Sequence, residues 1–225
     1  VFRDGHEAVE AMTLHDGFAV NLYADEQRFP EIANPVQMAW DTGGRLWVAA
    51  WPTYPHWMPG QPMNDGLFVL EDVDGDGTAD RVTPFADDLH NPTGFEFWGN
   101  GVLVANPPDL LYLEDTDSDG VADLRQRVLH GLSSADTHHS ANSFVYGPDG
   151  AFYFQEGVFH MSQVESAWGP VRNTNAAVWR FEPRTWRVER YVPYGFANPH
   201  GHVFDRWGQD FVTDGTGNQN YWALP

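Results

Sequence analysis

Four segments of this 225-residue chain repeat one local pattern, and this repeat limits the possible folds more than any other feature. Each segment opens with a short polar motif, continues into an apolar strand and is followed by a tight turn and a second strand. The turn glycines lie roughly 50 residues apart, a spacing typical of propeller blades. The segments are 34–40, 91–97, 140–146 and 198–204, and the turn glycines are Gly44, Gly101, Gly150 and Gly208.

The sequence between these segments also favours β-structure. Short runs of aliphatic and aromatic residues are bounded by glycine, proline, asparagine and aspartate, and only 7–12 has helical character. We expect each turn glycine to supply the positive φ of a hairpin. The predicted strands include 45–50, 66–70, 102–105, 110–113, 151–154, 177–181 and 210–213.

The repeats predict an all-β β-propeller with four-stranded blades, of which about four to five lie in this chain. Tandem β-sandwiches are the alternative, but such modules usually need about 100 residues each. Propellers close a ring of about 4–8 blades, and an open ring would expose strand edges. We therefore interpret residues 1–225 as a single propeller domain or a fragment of a six- or seven-bladed ring, completed by further sequence or by another chain.

The charge of the chain narrows the range of partners. Its 12 basic and 32 acidic residues give a formal net charge of −20, which argues against binding to nucleic acid. The chain has no cysteine, so no disulfide or thiolate metal site forms within it. No apolar run reaches the ~20 residues of a transmembrane helix. We expect a periplasmic or extracellular location, with any signal peptide already removed.

Two acidic loops match the pattern D-x-D-x-D-G-x-x-D and follow similar strands. Carboxylates at positions 1, 3, 5 and 9 and a carbonyl at position 7 are the hard oxygen ligands that calcium prefers. Each loop lacks the position-12 glutamate of an EF-hand, so the pattern predicts two structural calcium sites in hairpins; the alternative is a solvated acidic turn without an ion. The predicted ligands are Asp72, Asp74, Asp76, Thr78 and Asp80, and Asp115, Asp117, Asp119, Val121 and Asp123.

Histidines and asparagines recur where the innermost strand of each blade would begin beside the central channel. His90 and His139 occupy the same repeat position. A histidine exchanges a proton near neutral pH, so His139 is a candidate general base for a hydroxyl group. Two alternatives stay open: turn histidines that bond backbone carbonyls, or a transition-metal site of neutral imidazoles. The candidate binding residues at this channel mouth are His90, Asn91, Asn198, His200 and His202.

Several motifs resemble those of the membrane-bound dehydrogenase propellers of planctomycetes and their relatives. The resemblance covers about residues 34–221. It implies an oxidoreductase, and in that group the propeller is often followed by helical repeats and a haem-binding cytochrome c module. The motifs that carry the resemblance are 70–77, 136–150, 153–157, 178–181 and 198–201.

More distantly, the chain is similar to soluble glucose and sorbosone dehydrogenases, six-bladed propellers that use pyrroloquinoline quinone and calcium. That similarity implies that His139, before the Gly-Pro-Asp turn at 147–149, is the catalytic base. His138 stands where that family has an aspartate. Gly215 and Thr216 match the loop that binds the family's active-site calcium.

One departure from that family concerns the quinone. Ala197 occupies the place of an arginine that precedes the family's Asn-Pro-x-Gly motif. A guanidinium there would stabilise the negative charge of a reduced quinone, so the alanine argues against pyrroloquinoline quinone unless Arg172 or Arg206 replaces it.

Three functions are compatible with these observations. The first is an oxidoreductase that acts on a hydroxyl of a sugar or alcohol, with His139 as general base and a quinone or cytochrome as electron acceptor. The second is a metal-centred propeller lyase or hydrolase built on the histidine ring. The third is a non-catalytic, calcium-stabilised module that binds carbohydrate or a protein partner.

Overall fold

The computed structural model describes residues 4–223, which form antiparallel sheets and almost no helix. The helix α1 (Gly5–Glu10) begins earlier than the predicted 7–12 because Asp4 caps it, accepting a hydrogen bond from the Glu7 N–H at 2.8 Å. The chain divides into two compact units, one ending at Leu89 and one beginning at His90. No helix in the described range is long and apolar enough to span a membrane.

The first unit contains one four-stranded sheet with its strands in sequence order. The strands are β1 (Pro35–Trp40), β2 (Leu46–Ala50), β3 (Asp65–Glu71) and β4 (Arg81–Leu89). Strand β2 is buried along its whole length because apolar side chains cover both faces of it. A short 3₁₀ helix, Pro30–Ile32, contributes Ile32 to the core of this sheet, beside Leu46, Phe68 and Leu70.

The second unit contains three further sheets and a separate hairpin. The second sheet consists of β5 (Phe95–Trp98), β6 (Gly101–Asn106), β7 (Asp109–Glu114) and β8 (Leu124–His130). The third consists of β9 (Asn142–Tyr146), β10 (Phe152–Glu156), β13 (Ala177–Glu182) and β14 (Arg187–Val192), with the hairpin β11 (Met161–Val164) and β12 (Val171–Thr174) inserted. The fourth consists of β15 (Pro199–Phe204), β16 (Asp210–Asp214) and β17 (Gln219–Trp222).

Sheets of consecutive antiparallel strands are the blades of a propeller, so the predicted all-β propeller class is confirmed. In the second unit the first strand of the third sheet, β9, contacts the first strands of both neighbouring sheets, β5 and β15. The chain segments that lead into these three strands therefore lie close together. One core cluster joins Leu103 and Leu110 of the second sheet to Phe154 and Trp179 of the third, and these two rings stack across neighbouring strands at a centroid distance of 6.2 Å.

The turn glycines behave as predicted in three of the four repeats. Gly44, Gly150 and Gly208 have φ values of 82°, 77° and 83°. The prediction was wrong for Gly101, because Gly99 takes the positive φ of that turn. Gly101 is the first residue of β6, where a Cβ atom would lie 2.0 Å from the carbonyl oxygen of Leu113. Glycine is needed there for close approach of two strands rather than for turn conformation.

Candidate functional site

The 3₁₀ turn Thr137–His139 leads into β9 and presents the candidate base. Asp136 caps this turn, since its Oδ1 accepts a hydrogen bond from the His138 N–H at 2.9 Å. The next residue, Ser140, is fully buried and accepts a hydrogen bond from the Asn91 side-chain amide at 2.8 Å. The Asn91 contact ties the segment before β5 to the segment that carries His139.

The imidazole of His139 lies between two oxygen atoms. Its Nε2 forms a hydrogen bond with Oδ1 of Asn198, and its Nδ1 lies 3.1 Å from Oδ1 of Asp136, off the direction of a good hydrogen bond. The edge of the Phe159 ring faces it at a centroid distance of 5.7 Å. The side chain is 17% exposed, so it is held by the protein yet remains reachable from solvent.

Gly157 provides the space for this imidazole. A Cβ atom on Gly157 would lie 2.6 Å from Cδ2 of His139, closer than side chains tolerate. The Gly157 N–H also donates to the His139 carbonyl oxygen at 2.9 Å, and the Val158 N–H donates to the Ala197 carbonyl oxygen at 3.2 Å. The end of β10 therefore fixes both the turn of His139 and the approach to Asn198.

Asn198 is held in turn by the end of β16. The two oxygens of Asp214 accept hydrogen bonds from the backbone N–H groups of Ala197, Asn198 and Thr216 at 2.9–3.0 Å. The Asn198 side-chain amide donates to the Thr216 hydroxyl, and the Gly215 N–H donates to the Asn198 carbonyl oxygen at 2.8 Å. Burial alone would raise the pKa of Asp214, but these three N–H groups lower it below its usual value.

Asp136 remains an ionised partner for the imidazole. Burial works to raise the pKa of Asp136, whereas the His138 N–H and the nearby imidazoles lower it below the ordinary range of an aspartate. A carboxylate beside one ring nitrogen and an amide oxygen on the other fix the orientation of His139. An oriented imidazole of this kind is suited to accept and return a proton.

A buried polar cluster behind His139 was not predicted from the sequence. Glu156, the residue before Gly157, is fully buried and accepts hydrogen bonds from the Ser162 hydroxyl at 2.5 Å and the Trp179 indole N–H at 2.7 Å. Burial raises the pKa of Glu156 to about 7, although these two donors act to lower it. The Ser133 N–H donates to the Ser162 hydroxyl at 2.8 Å, which links the cluster to the segment before Asp136.

His160 is a second buried group, which its aromatic surroundings in the sequence predicted at the rim of the channel mouth rather than in the interior. It is fully buried, and within residues 4–223 neither ring nitrogen has a hydrogen-bond partner of good geometry. Burial lowers the pKa of His160, against the opposing effect of the Asp136 carboxylate. The signal available in the sequence was its position in an aromatic segment beside Phe159, which gave no indication of burial.

The remaining predicted histidines lie outside the His139 site. The Nδ1 of His90 bonds to the Pro107 carbonyl oxygen at 3.1 Å, and His200 is exposed on β15. His202 is buried, with its Nε2 2.9 Å from Oδ2 of Asp210 and its ring packed against Tyr153. In the part of the chain that is described, no hydrogen bond or ion pair connects His90, His200 or His202 to His139.

His138 lies at the rim of the site. Its side chain is 54% exposed, and its Nδ1 is 3.5 Å from Oδ1 of Asp136. Of the predicted site residues, those that the structure places together are His139, Asn91, Asn198, Gly215 and Thr216.

The residues at this site do not fit the quinone of the related dehydrogenases. The methyl group of Ala197 carries no charge. Arg172 donates to the side chain of Gln163 at 2.7 Å in the inserted hairpin, and Arg206 lies over the ring of Trp207 at 4.4 Å. Both candidate guanidiniums are thus engaged elsewhere, and we derive no step through a quinone.

Among residues 4–223, sets of three side chains close enough to share one metal ion occur in the acidic loops and not among the histidines. The sets are Asp72, Asp74 and Asp80, and Asp115, Asp117 and Asp119. In both loops the first aspartate accepts three backbone hydrogen bonds from its own turn, including one from the glycine at position 6. The loops therefore share one wrapped conformation, which gathers carboxylates as a cation site requires.

Comparison with known proteins gives a family and a fold. A family model described as "Domain of unknown function (DUF7133)" matches residues 4–224. No curated protein matches the chain. The pyrroloquinoline quinone domain of a pyranose dehydrogenase from Coprinopsis cinerea is 13% identical, with a TM-score of 0.55, over 81% of this chain and 44% of that one.

A structural-genomics target described as a gluconolactonase is 12% identical, also with a TM-score of 0.55, over 85% of this chain and 59% of that one. The chain therefore spans about half the length of the solved structures it matches. At these identities the similarity establishes the propeller fold.

Proposed function

Because this chain belongs to the DUF7133 family, whose description assigns no function, we propose its function from the geometry of the His139 site. The domain binds a sugar or alcohol at the mouth formed by the segments before β5, β9 and β15. His139 takes the proton of the bound hydroxyl group at Nε2, where the hydroxyl replaces the Asn198 contact, because Nδ1 is buried beside Asp136. The observation that carries this proposal is an imidazole oriented between Asp136 and Asn198, largely buried and still open to solvent.

Each neighbouring group has a role in this proposal. Asp136 stabilises the imidazolium that forms when His139 accepts the proton. Asn198 and Thr216 supply amide and hydroxyl groups that hydrogen-bond other hydroxyls of the substrate. Phe159 is 67% exposed and lies against His139, so it offers an apolar face for the carbon skeleton of a sugar.

We propose that the reaction is an oxidation of the hydroxyl-bearing carbon. Removal of the proton by His139 prepares this carbon to release a hydride to a two-electron acceptor. Because Ala197 offers no charge to hold a quinone in the site, we assign the hydride to a soluble two-electron acceptor, from which a cytochrome module would take the electrons onward one at a time. The distant fold similarity to a dehydrogenase domain is compatible with this reaction class.

The test is oxidation of a panel of sugars and alcohols with the artificial two-electron acceptor dichlorophenolindophenol. We expect turnover that falls by about 100-fold or more in His139→Gln, because general-base catalysis contributes 10²–10⁴-fold. His15→Ala, an exposed histidine of the first unit, is the matched control and should keep full activity. Lactone hydrolysis without sugar oxidation would replace the oxidoreductase with a hydrolase.

We also propose that both acidic loops bind calcium as a structural ion. The support is the wrapped conformation of each loop and the close approach of three carboxylates in each. Clustered carboxylates repel one another, and a divalent cation removes that repulsion. Calcium would then stabilise two hairpins without taking part in the reaction.

A further inference from the structure

A cleft lies in the second unit and shares no residue with the His139 site. It has a volume of about 400 Å³ and forms where the end of β8, the β11–β12 turn and the β13–β14 turn meet. Its lining includes Arg127, His130, Glu165 and Trp186.

The walls of this cleft are fixed by backbone contacts between β8 and the inserted hairpin. The Glu165 N–H donates to the His130 carbonyl oxygen at 2.8 Å, and the Gln163 N–H donates to the Gly131 carbonyl oxygen at 3.0 Å. Gly131 has a φ of 103°, and a Cβ atom there would lie 1.9 Å from the Gln163 carbonyl oxygen. The hairpin is therefore held against β8, and the cleft is formed before any ligand binds.

One carboxylate positions both basic side chains of the cleft. The largely buried Asp109 has its Oδ1 2.5 Å from Nδ1 of His130 and its Oδ2 3.0 Å from Nε of Arg127. These contacts use the inner nitrogens of both side chains. They leave the terminal nitrogens of Arg127 to donate hydrogen bonds to a ligand, and Nε2 of His130 and the exposed Glu165 carboxylate to accept them.

Trp186 lines the cleft in a strained backbone conformation. Its φ is 59°, a region that is strained for a bulky residue and that glycine would occupy freely. Among the non-glycine residues with positive φ in 4–223, the aromatic ones are Phe159 and Trp186. Phe159 lies at the His139 site. One strained aromatic residue thus lies beside His139 and the other lines this cleft, and backbone strain of this kind clusters at ligand-binding sites.

The charges of the cleft favour a ligand without net charge. Two carboxylates, Asp109 and Glu165, face one guanidinium, Arg127, so an anion gains no net attraction. The chain as a whole carries a formal charge of −20, which repels anionic ligands further. An indole surface beside donors and acceptors that suit hydroxyl groups matches a neutral sugar ring, which has an apolar face and a polar edge.

We propose that this cleft is a binding site for neutral oligosaccharides, separate from the catalytic site. It would hold a glycan chain on the surface of the domain, with the sugar face on Trp186 and the hydroxyls on Arg127, His130 and Glu165. The inference does not depend on the reaction at His139. It is tested in the His139→Gln variant as well as in the parent protein, so that the two proposals fail separately.

The experiment is calorimetric titration of the full chain with cellohexaose, laminarihexaose and mannohexaose at millimolar concentrations. We expect at least one of them to bind the parent and His139→Gln with equal affinity. Trp186→Ala should weaken binding by about tenfold or more, since an aromatic residue is commonly the dominant contact of a site. Trp207→Ala removes an indole that is 77% exposed and does not line the cleft, so it should bind like the parent.

A second variant covers the possibility that Trp186→Ala disturbs the core against which Trp186 packs. Arg127→Gln changes a side chain that is 62% exposed and should weaken binding several-fold while the melting temperature stays the same. The proposal is overturned if no hexasaccharide binds, or if Trp186→Ala and Arg127→Gln both bind as tightly as the parent. Preferential binding of the charged trigalacturonate would overturn the assignment to neutral glycans.

Discussion

The acidic loops and the buried groups around the His139 site hold their carboxylates in opposite ways. In the loops, the first carboxylate is satisfied by its own turn: Asp115 accepts hydrogen bonds from the N–H groups of Ser118, Asp119 and Gly120. Around His139, Asp136 also accepts from its own turn, but Glu156 and Asp214 accept hydrogen bonds from distant parts of the chain. Glu156, for example, accepts from Trp179 on a neighbouring strand.

This contrast determines how each region responds to its surroundings. The loop carboxylates are largely exposed, so water and salt screen their repulsion and an ion can reach them. Glu156 has no exposed surface, so its charge depends on the packing around it. A change of pH should therefore alter the stability of the buried cluster through Glu156, whereas a change in the concentration of a divalent cation should alter the stability of the loops.

The largest expected effect is the loss of stability that Glu156 causes as the pH rises. Its folded-state pKa of about 7 lies above the unfolded value of 4.5. The contribution of protonated Glu156 to the free energy of unfolding is therefore complete below pH 4.5 and is lost as the pH rises through about 7. The full loss is about 3 kcal/mol. Urea denaturation between pH 5 and 8 should show a smaller decline in the unfolding free energy of Glu156→Gln than of the parent.

Glu189→Gln is the control for this measurement, because Glu189 lies in a solvent-accessible ion pair with Arg180. Its pH dependence should follow that of the parent. Parallel curves for the parent and Glu156→Gln would show that Glu156 does not titrate in this range, and the contrast between the two regions would lose its electrostatic basis.

The next effect concerns the space that Gly157 leaves for His139. In Gly157→Ala the new methyl group would displace the imidazole, and a displacement near 1 Å is enough to cost about 100-fold in rate. Gly195→Ala is the matched control, because nothing lies within 4 Å of a Cβ atom at that position. Turnover with dichlorophenolindophenol checks this prediction. Full activity in Gly157→Ala would show that the orientation of His139 is not required.

The same contrast explains what the sequence revealed. The repeats predicted the all-β propeller class and several strands correctly, because blade strands and turns are local features. The acidic loops were equally visible, since their carboxylates follow one another in the chain. Glu156 and Asp214 were missed as site residues because most of their partners are remote in sequence, and only the folded sheets bring them to His139.

The fourth repeat shows a second limit of sequence patterns. His200 and His202 are two residues apart, so regular alternation would place them on one face of β15. A bulge between Pro199 and His202, with Gly201 at a φ of 92°, interrupts the alternation. His202 is buried against Asp210, and His200 is exposed. The signal available in the sequence was Gly201, because a glycine inside a strand pattern often marks a bulge.

A smaller effect is expected from calcium on the loops. At a free concentration ten times its Kd, calcium should stabilise each hairpin by about 1.4 kcal/mol, provided that it binds only the folded form. Thermal unfolding with calcium and with excess chelator measures this difference. Asp74→Asn should remove the contribution of the first loop and Asp117→Asn that of the second. An unchanged melting curve in chelator would contradict calcium binding by either loop.

The smallest expected effect distinguishes the two loops from each other. The first loop has an additional support, because the Asn21 side chain donates to the Gly77 carbonyl oxygen and the Ala79 N–H donates to the Tyr23 carbonyl oxygen at 2.8 Å. Asn21→Ala should cost about 0.5–1.5 kcal/mol, the worth of one hydrogen bond, and should weaken calcium binding only in the first loop.

Calcium titration of Asn21→Ala, combined in turn with Asp117→Asn and Asp74→Asn, measures each loop alone. Asn100→Ala is the control, since Asn100 makes a comparable surface contact, 3.4 Å to Glu114, at the base of the second loop. Weaker calcium binding by the first loop, with unchanged binding by the second, would show that the segment containing Asn21 strengthens calcium binding by the loop packed against it. Equal weakening of both loops would show instead that Asn21 acts through the stability of the whole chain, and the external support of the first loop would have no separate role.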